Sequence, residues 1–133
     1  MSAAAQEVWA LMSDLVLDNQ RRREVSEALG LSFARVRALR RLAREPMSMS
    51  ELAALLGTDP PNATALVNDL EAQGLVRRRP HPTDGRAKVV EATRKGKKLA
   101  LRADEILGTP PPALSALPPK DLKKLRQILT RMG

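Results

Sequence analysis

Cysteine and tyrosine are absent, and phenylalanine, tryptophan and histidine occur once each. Lacking cysteine, the chain forms no disulfide, performs no thiol catalysis and offers no thiolate to zinc. The single histidine, His81, lies between Pro80 and Pro82 and cannot complete an ordinary zinc site. It reads as a surface loop residue or a phosphate contact. There is no glycine-rich phosphate loop and no clear carboxylate dyad, so neither an enzyme nor a cofactor is expected. Long apolar runs are also missing, and the first residues, MSAAAQEVW, place no basic leader ahead of an apolar stretch. Neither a membrane span nor a signal peptide is therefore expected.

What remains is leucine, alanine, valine and arginine. At 133 residues and 43% apolar content, the chain fits one compact domain with a modest core of small and unbranched side chains. A formal charge of +8 implies a polyanionic partner, nucleic acid or an anionic membrane surface, without choosing between them.

Apolar residues at Val8, Leu11, Met12, Leu15 and Val16 recur at helical spacing, with Trp9 beside the stripe as partner anchor or plain packing. This helix continues, or restarts after Asp18-Asn19, to Leu29, where Gly30 provides a C-cap. Ser32 caps a helix with Phe33, Val36, Leu39, Leu42 and Ala43 on one face and Arg35, Arg37, Arg40, Arg41 and Arg44 on the other. That arginine row is either a solvated face or a contact for phosphate or an anionic ligand. Pro46 ends the helix.

Ser48-x-x-Glu51 is a capping box for a short helix that Gly57 terminates. Asp59 caps the next, with Pro60 in its first turn and Ala63, Leu66, Val67 and Leu70 as the buried set. Two helices joined by a short glycine-containing turn make a helix-turn-helix, whose second helix enters the major groove. Leu75–Arg79 and Arg86–Glu91 read as strands around the turn formers 80–85, with Asp84-Gly85 a hairpin signal. Thr93 caps a helix running to about Leu107. A stiff proline connector, a short piece at 113–117 and a last helix at 119–131 follow. A terminal helix this short is unstable alone and must dock. The fold class is thus mainly α with a small antiparallel β-wing. Residues 1–31 and 93–133 form dimerisation regions around a DNA-binding unit at 32–92.

The second helix is nearly uncharged outward. Asn62 or Asn68 suits adenine, and the methyls of Thr64 and Ala65 suit thymine, while solvent or phosphate is the alternative for each. Pro61 lies in the first turn of the same helix. Basic residues gather instead in the wing and its flank, where phosphate contacts supply affinity and position. Arg77 and Arg79 can share one side of their strand as phosphate neighbours, and Lys88 lies on the returning strand. Arg86, with Asp84 two residues earlier, is the candidate for insertion into a narrow minor groove, or else a surface ion pair.

The order SELAALLG, LVNDLEAQGLV, PTDGR and ATRKG, over about residues 30–100, resembles the MarR family of winged-helix transcriptional regulators. The resemblance implies a triangular homodimer with interlocked terminal helices. Its winged helices would grip a pseudo-palindromic DNA operator, with 59–73 as recognition helix and Asp84 and Arg86 as the wing pair. It implies a cytoplasmic, nucleoid-associated regulator, with no membrane partner, that represses efflux, stress or catabolic genes. A small aromatic or phenolic effector would bind near Leu17, Phe33, Arg37 and Leu99 and release the DNA. Three positions depart from the family pattern. Gly85 stands where a second wing arginine is usual, Ala92 where leucine precedes the threonine, and Ala65 where a basic residue is common. A winged-helix architectural protein without ligand control is the alternative. An adaptor that uses its basic faces on acidic protein partners is the other.

Overall fold

In a computed structural model, residues 2–17, 20–85 and 88–133 are described. The expected break at Asp18-Asn19 and the wing arginine Arg86 lie outside the described residues. The chain forms two compact units, one of residues 20–107 and one of the chain ends, 1–19 and 108–133. The order within 20–107 is α2 (Arg21–Leu29), α3 (Phe33–Arg44), β1 (Met47–Ser48), α4 (Met49–Leu56), α5 (Pro60–Ala72), β2 (Val76–Pro80), β3 (Lys88–Ala92) and α6 (Arg94–Gly108). The ends supply α1 (Ala3–Leu17), α7 (Pro112–Ser115) and α8 (Pro119–Met132).

Local chemistry sets most of these boundaries. Ser32 Oγ accepts from the Arg35 N–H, Ser48 Oγ from the Glu51 N–H at 3.1 Å, and Asp59 Oδ1 from the Asn62 N–H at 2.8 Å. Each satisfies a donor that the first helical turn leaves open. Glu51 Oε1 in turn accepts from the Ser48 hydroxyl at 3.1 Å, a side-chain bond rather than the backbone bond of a full capping box. Gly30 and Gly57 end α2 and α4 at φ 67° and 63°, a left-handed conformation that glycine adopts without a Cβ penalty.

The sheet is antiparallel in the order β1-β3-β2. Val76 faces Ala92, Arg77 faces Glu91, and Pro80 faces Lys88, so β2 sits one residue later than the sequence pattern places it and β3 runs one residue past Glu91. β1 was not anticipated. Two residues carry no periodicity, and their strand character comes only from pairing Met47 with Val90 and Ser48 with Val89. The core is a single cluster including Val25, Val36, Leu39, Leu42, Leu52, Val67, Leu70, Leu75, Val76 and Val90. α5 buries Ala63, Leu66, Val67 and Leu70, the set its periodicity predicts.

α5, the hairpin and α6 meet at one junction. Leu75 N–H donates to Leu70 O at 3.0 Å, and Thr93 N–H donates to Leu75 O at 3.0 Å. The Thr93 hydroxyl donates to Gly74 O at 2.6 Å and accepts from the Gly96 N–H at 3.1 Å. Gly96 packs so closely that a methyl there would overlap the Leu75 carbonyl and lie 3.2 Å from Leu39 Cδ1. Backbone cannot yield as a side-chain tip can, so Gly96→Ala should destabilise the fold by about 2–3 kcal/mol or more. Denaturant unfolding measures this, and parental stability would refute the tight approach.

Candidate nucleic-acid interface

The outward face of α5 carries Pro61, Asn62, Thr64, Ala65 and Asn68, all exposed. Two of these side chains are already engaged. Asn62 Nδ2 donates to Asp59 Oδ2 at 2.9 Å, and Asn68 Oδ1 accepts from Arg78 Nη2 at 2.7 Å. Arg78 also pairs with Glu71 through Nη1 at 2.7 Å, so one guanidinium fastens α5 to β2. On the other flank Arg35, held by Ser32 Oγ at 2.9 Å, forms an ion pair with Asp69. Asp69 and Glu71 would otherwise place negative charge on α5. Arg35 and Arg78 neutralise both, and leave the exposed face polar and nearly uncharged.

Arg77 and Arg79 lie on the opposite side of β2 from Arg78, as strand alternation requires. Both are bound to one carboxylate: Arg77 Nε donates to Glu91 Oε1 at 2.7 Å and Arg79 Nε to Oε2 at 2.8 Å. These bonds, Arg79 first and Arg77 second, hold the Glu91 carboxyl below its ordinary range against an opposing desolvation effect. Glu91 thus sets the direction of two wing arginines. His81 organises the turn, its Nδ1 accepting from the N–H groups of Thr83 at 3.2 Å and Asp84 at 3.1 Å. Lys88 is exposed at the start of β3.

Sequence reasoning missed Asp69 and Glu71, and it missed the pairing of Arg78 with Asn68 and Glu71 and of Glu91 with Arg77 and Arg79. Only the hairpin register could have found Glu91, because it sits opposite Arg77 across fourteen positions.

Three of the four effector positions, Phe33, Arg37 and Leu99, belong to the 20–107 unit. Phe33 is half-buried against the core, with the Arg22 guanidinium 4.2 Å from its ring centre. Leu99 packs on the same core. Arg37 lines a cleft with Arg40, Arg41, Arg44 and Leu55. Leu17 belongs to the unit made by the chain ends and is 80% exposed. Among the described residues no cluster of side chains suits a metal, and no helix is long and apolar enough to cross a membrane.

α4, a three-residue turn and α5, backed by an antiparallel hairpin, constitute a winged helix-turn-helix, an architecture that in DNA-binding proteins seats its second helix in the major groove. Residues 29–87 match the MarR family. The transcriptional regulator BldR from Sulfolobus solfataricus is 29% identical, with 98% of this chain and 99% of that chain covered and a TM-score of 0.65. RV1404 from Mycobacterium tuberculosis shares the fold at 21% identity, TM-score 0.77, over 99% and 92% of the two chains. A mutant of S. aureus MepR, bound to an oligodeoxyribonucleotide, does so at 21% identity and TM-score 0.67 over 96% and 94%. A comparison with curated proteins gives no match. Over residues 29–87 the winged helix-turn-helix is similar to the MarR family, and along its length the chain is similar to the transcriptional regulator BldR.

The Glu91 clamp has a pH signature. Its carboxyl titrates lower in the folded state than in the unfolded one. The ion pairs therefore stabilise the fold fully above the ordinary carboxylate pKa of 4.5, and this contribution disappears as pH falls through the lowered value. Glu91→Gln should cost at most about 1 kcal/mol at neutral pH, since the arginines are partly solvated. It should also flatten acid unfolding below that range. In addition it frees Arg77 and Arg79, so duplex binding at low salt should tighten severalfold. Unchanged acid unfolding together with unchanged binding would exclude the clamp.

Proposed function

We propose that the chain acts as a homodimer on a pseudo-palindromic operator, seating one α5 in each of two major grooves about 34 Å apart. In this reading Asn62, Thr64, Ala65 and Asn68 face base edges, with Pro61 at the groove entrance. Arg77, Arg79 and Lys88 meet phosphate, and Arg86, with Asp84, enters the flanking minor groove. The observation that carries the reading is the neutralised outer face of α5, braced by Arg35 and Arg78 beside a basic hairpin. The oligodeoxyribonucleotide bound to the MepR mutant supports it by likeness of fold.

For the homodimer, the support is an apolar surface without a core beneath it. No described residue of α1, α7 or α8 is buried, and Trp9, Leu11 and Val16 are 69%, 69% and 70% exposed. In this reading these helices lie within dimerisation regions 1–31 and 93–133, which flank a DNA-binding domain at 32–92. We place the protein in the cytoplasm, on the nucleoid, as a repressor of efflux, stress or catabolic genes. A small aromatic or phenolic effector engaging Leu17, Phe33, Arg37 and Leu99 would relieve repression. The half-buried ring of Phe33 under a guanidinium suits such a ligand.

Selection of bound duplexes from a random pool, followed by footprinting, tests the reading. A short palindromic site is expected, whereas weak preference with broad coverage would mark an architectural protein. Retention on a protein partner at a salt level that strips DNA would mark an adaptor. Arg86→Ala should weaken operator binding by about tenfold, within the ordinary range for one specific contact, and leave the sedimentation of the dimer unchanged. Full binding by that variant would remove the wing tip from the site. Phenolic acids titrated into the operator complex test effector control, and constant affinity across them would reject it.

A further inference from the structure

The arginine row of α3 is not uniform. Arg35 is committed to Asp69 and Arg40 Nε to Asp104 Oδ1 at 2.6 Å. Among the described residues Arg37, Arg41 and Arg44 have no side-chain acceptor, and with Arg40 they line a cleft of about 170 Å³ walled on the α4 side by Leu55. The Nε of Arg41, one of the lining residues, is buried and has no hydrogen-bond partner among the described residues. A guanidinium nitrogen stripped of water and left without an acceptor is costly, and native proteins seldom leave one so. Positive charge in the last turn of α3 is favoured by the helix dipole. The dipole accounts for arginines there, but not for their convergence on one cleft or for the withdrawal of Nε from water.

We propose that this cleft between α3 and α4 binds a compact oxyanion of the phosphate class. Its volume holds a handful of waters, at about 30 Å³ each, or one tetrahedral anion. Three uncompensated guanidiniums match a dianion better than a single carboxylate, and planar forks suit oxyanion geometry. At helical spacings of three and four, these like charges repel one another in the empty cleft. A bound dianion reverses that repulsion, and a turn of the Arg41 side chain onto it would give Nε its missing acceptor. No residue of α5 or of the hairpin lines the cleft. The site is therefore independent of the operator reading, and a protein that failed to recognise an operator would still have it.

Inorganic phosphate, titrated into the full-length protein at constant ionic strength with chloride as the balancing anion, tests the proposal. The arginine Nε–Hε resonances and the unfolding temperature report on the cleft. The Arg41 resonance should shift and saturate, and the unfolding temperature should rise with phosphate but not with chloride. Arg37→Gln and Arg44→Gln should each weaken phosphate binding about tenfold, the usual loss for one charge-assisted contact. In phosphate-free buffer both variants should unfold at or above the parental temperature, because each relieves repulsion. Non-saturating shifts that are alike for both anions, or a double variant with the parental phosphate response, would overturn the proposal. Two duplex arms identify the source of the phosphate. A double variant whose salt slope drops by about one per arginine assigns the cleft to the DNA backbone. An unchanged slope with a lost phosphate response assigns it to a free or small-molecule phosphate.

Discussion

The contact between Gly74-Leu75 and Thr93–Gly96 governs the rest of the domain. α5 ends there, β2 begins one residue later, and β3 returns to hand the chain to α6. The Thr93 hydroxyl bridges the end of one helix and the start of another, while its backbone N–H closes the base of the hairpin on Leu75. Those bonds form only because α6 approaches without a side chain at Gly96. The angle between α5 and the wing is thus set by backbone groups in direct contact, which have little freedom to adjust. Under the operator proposal, a helix and a hairpin that engage one duplex need such a fixed relation, since a small error in either displaces the other from its groove.

Charge is allocated on similar lines. A net charge of +8 suggests a molecule coated for phosphate, yet many of its arginines are spent inside the protein. Arg35 and Arg78 cancel the acids of α5, Arg40 ties α3 to Asp104 on α6, and Arg77 with Arg79 share Glu91. Individually, such partly exposed pairs contribute little to stability. Their consequence is orientation: they decide which cations are left to act at a distance. Among the described residues, Arg37, Arg41 and Arg44 on α3 stay unpaired, and so does Lys88 beside the hairpin turn. Counting basic residues along the chain overstates the wing and understates α3.

The features that were legible in the sequence were those with local causes. Ser32, Ser48 and Asp59 cap helices because each side chain reaches a backbone donor three residues on. Ala63, Leu66, Val67 and Leu70 are buried because a helix repeats every 3.6 residues. Thr93 was readable as a cap, but its second bond, to Gly74 nineteen residues away, was not. The same limit hid β1, whose two residues are strand only by pairing with Val89 and Val90. It also hid the engagement of Asn68 by Arg78, which qualifies the simple picture of a free amide awaiting adenine. One lone pair of that oxygen stays available, and Nδ2 can still donate. The bond therefore presents the amide in a fixed orientation rather than withdrawing it.

The chain ends present a different physical problem. A Leu or Val side chain gains roughly 1.5–3 kcal/mol when fully withdrawn from water, and α1 leaves Val8, Leu11, Leu15 and Val16 largely outside. Fifteen residues of helix with nothing buried cannot repay the entropy of their own ordering, so α1 is a helix that needs a surface to lie on. Residues 20–107 have a closed core of their own and carry no such debt. Under the dimer proposal, association and the folding of the ends become one equilibrium, so their stability depends on protein concentration while that of the winged unit does not. Under that same proposal, anything that shifts the equilibrium would also shift the pairing of the two α5 helices. An effector would need only to favour one packing of the ends over another.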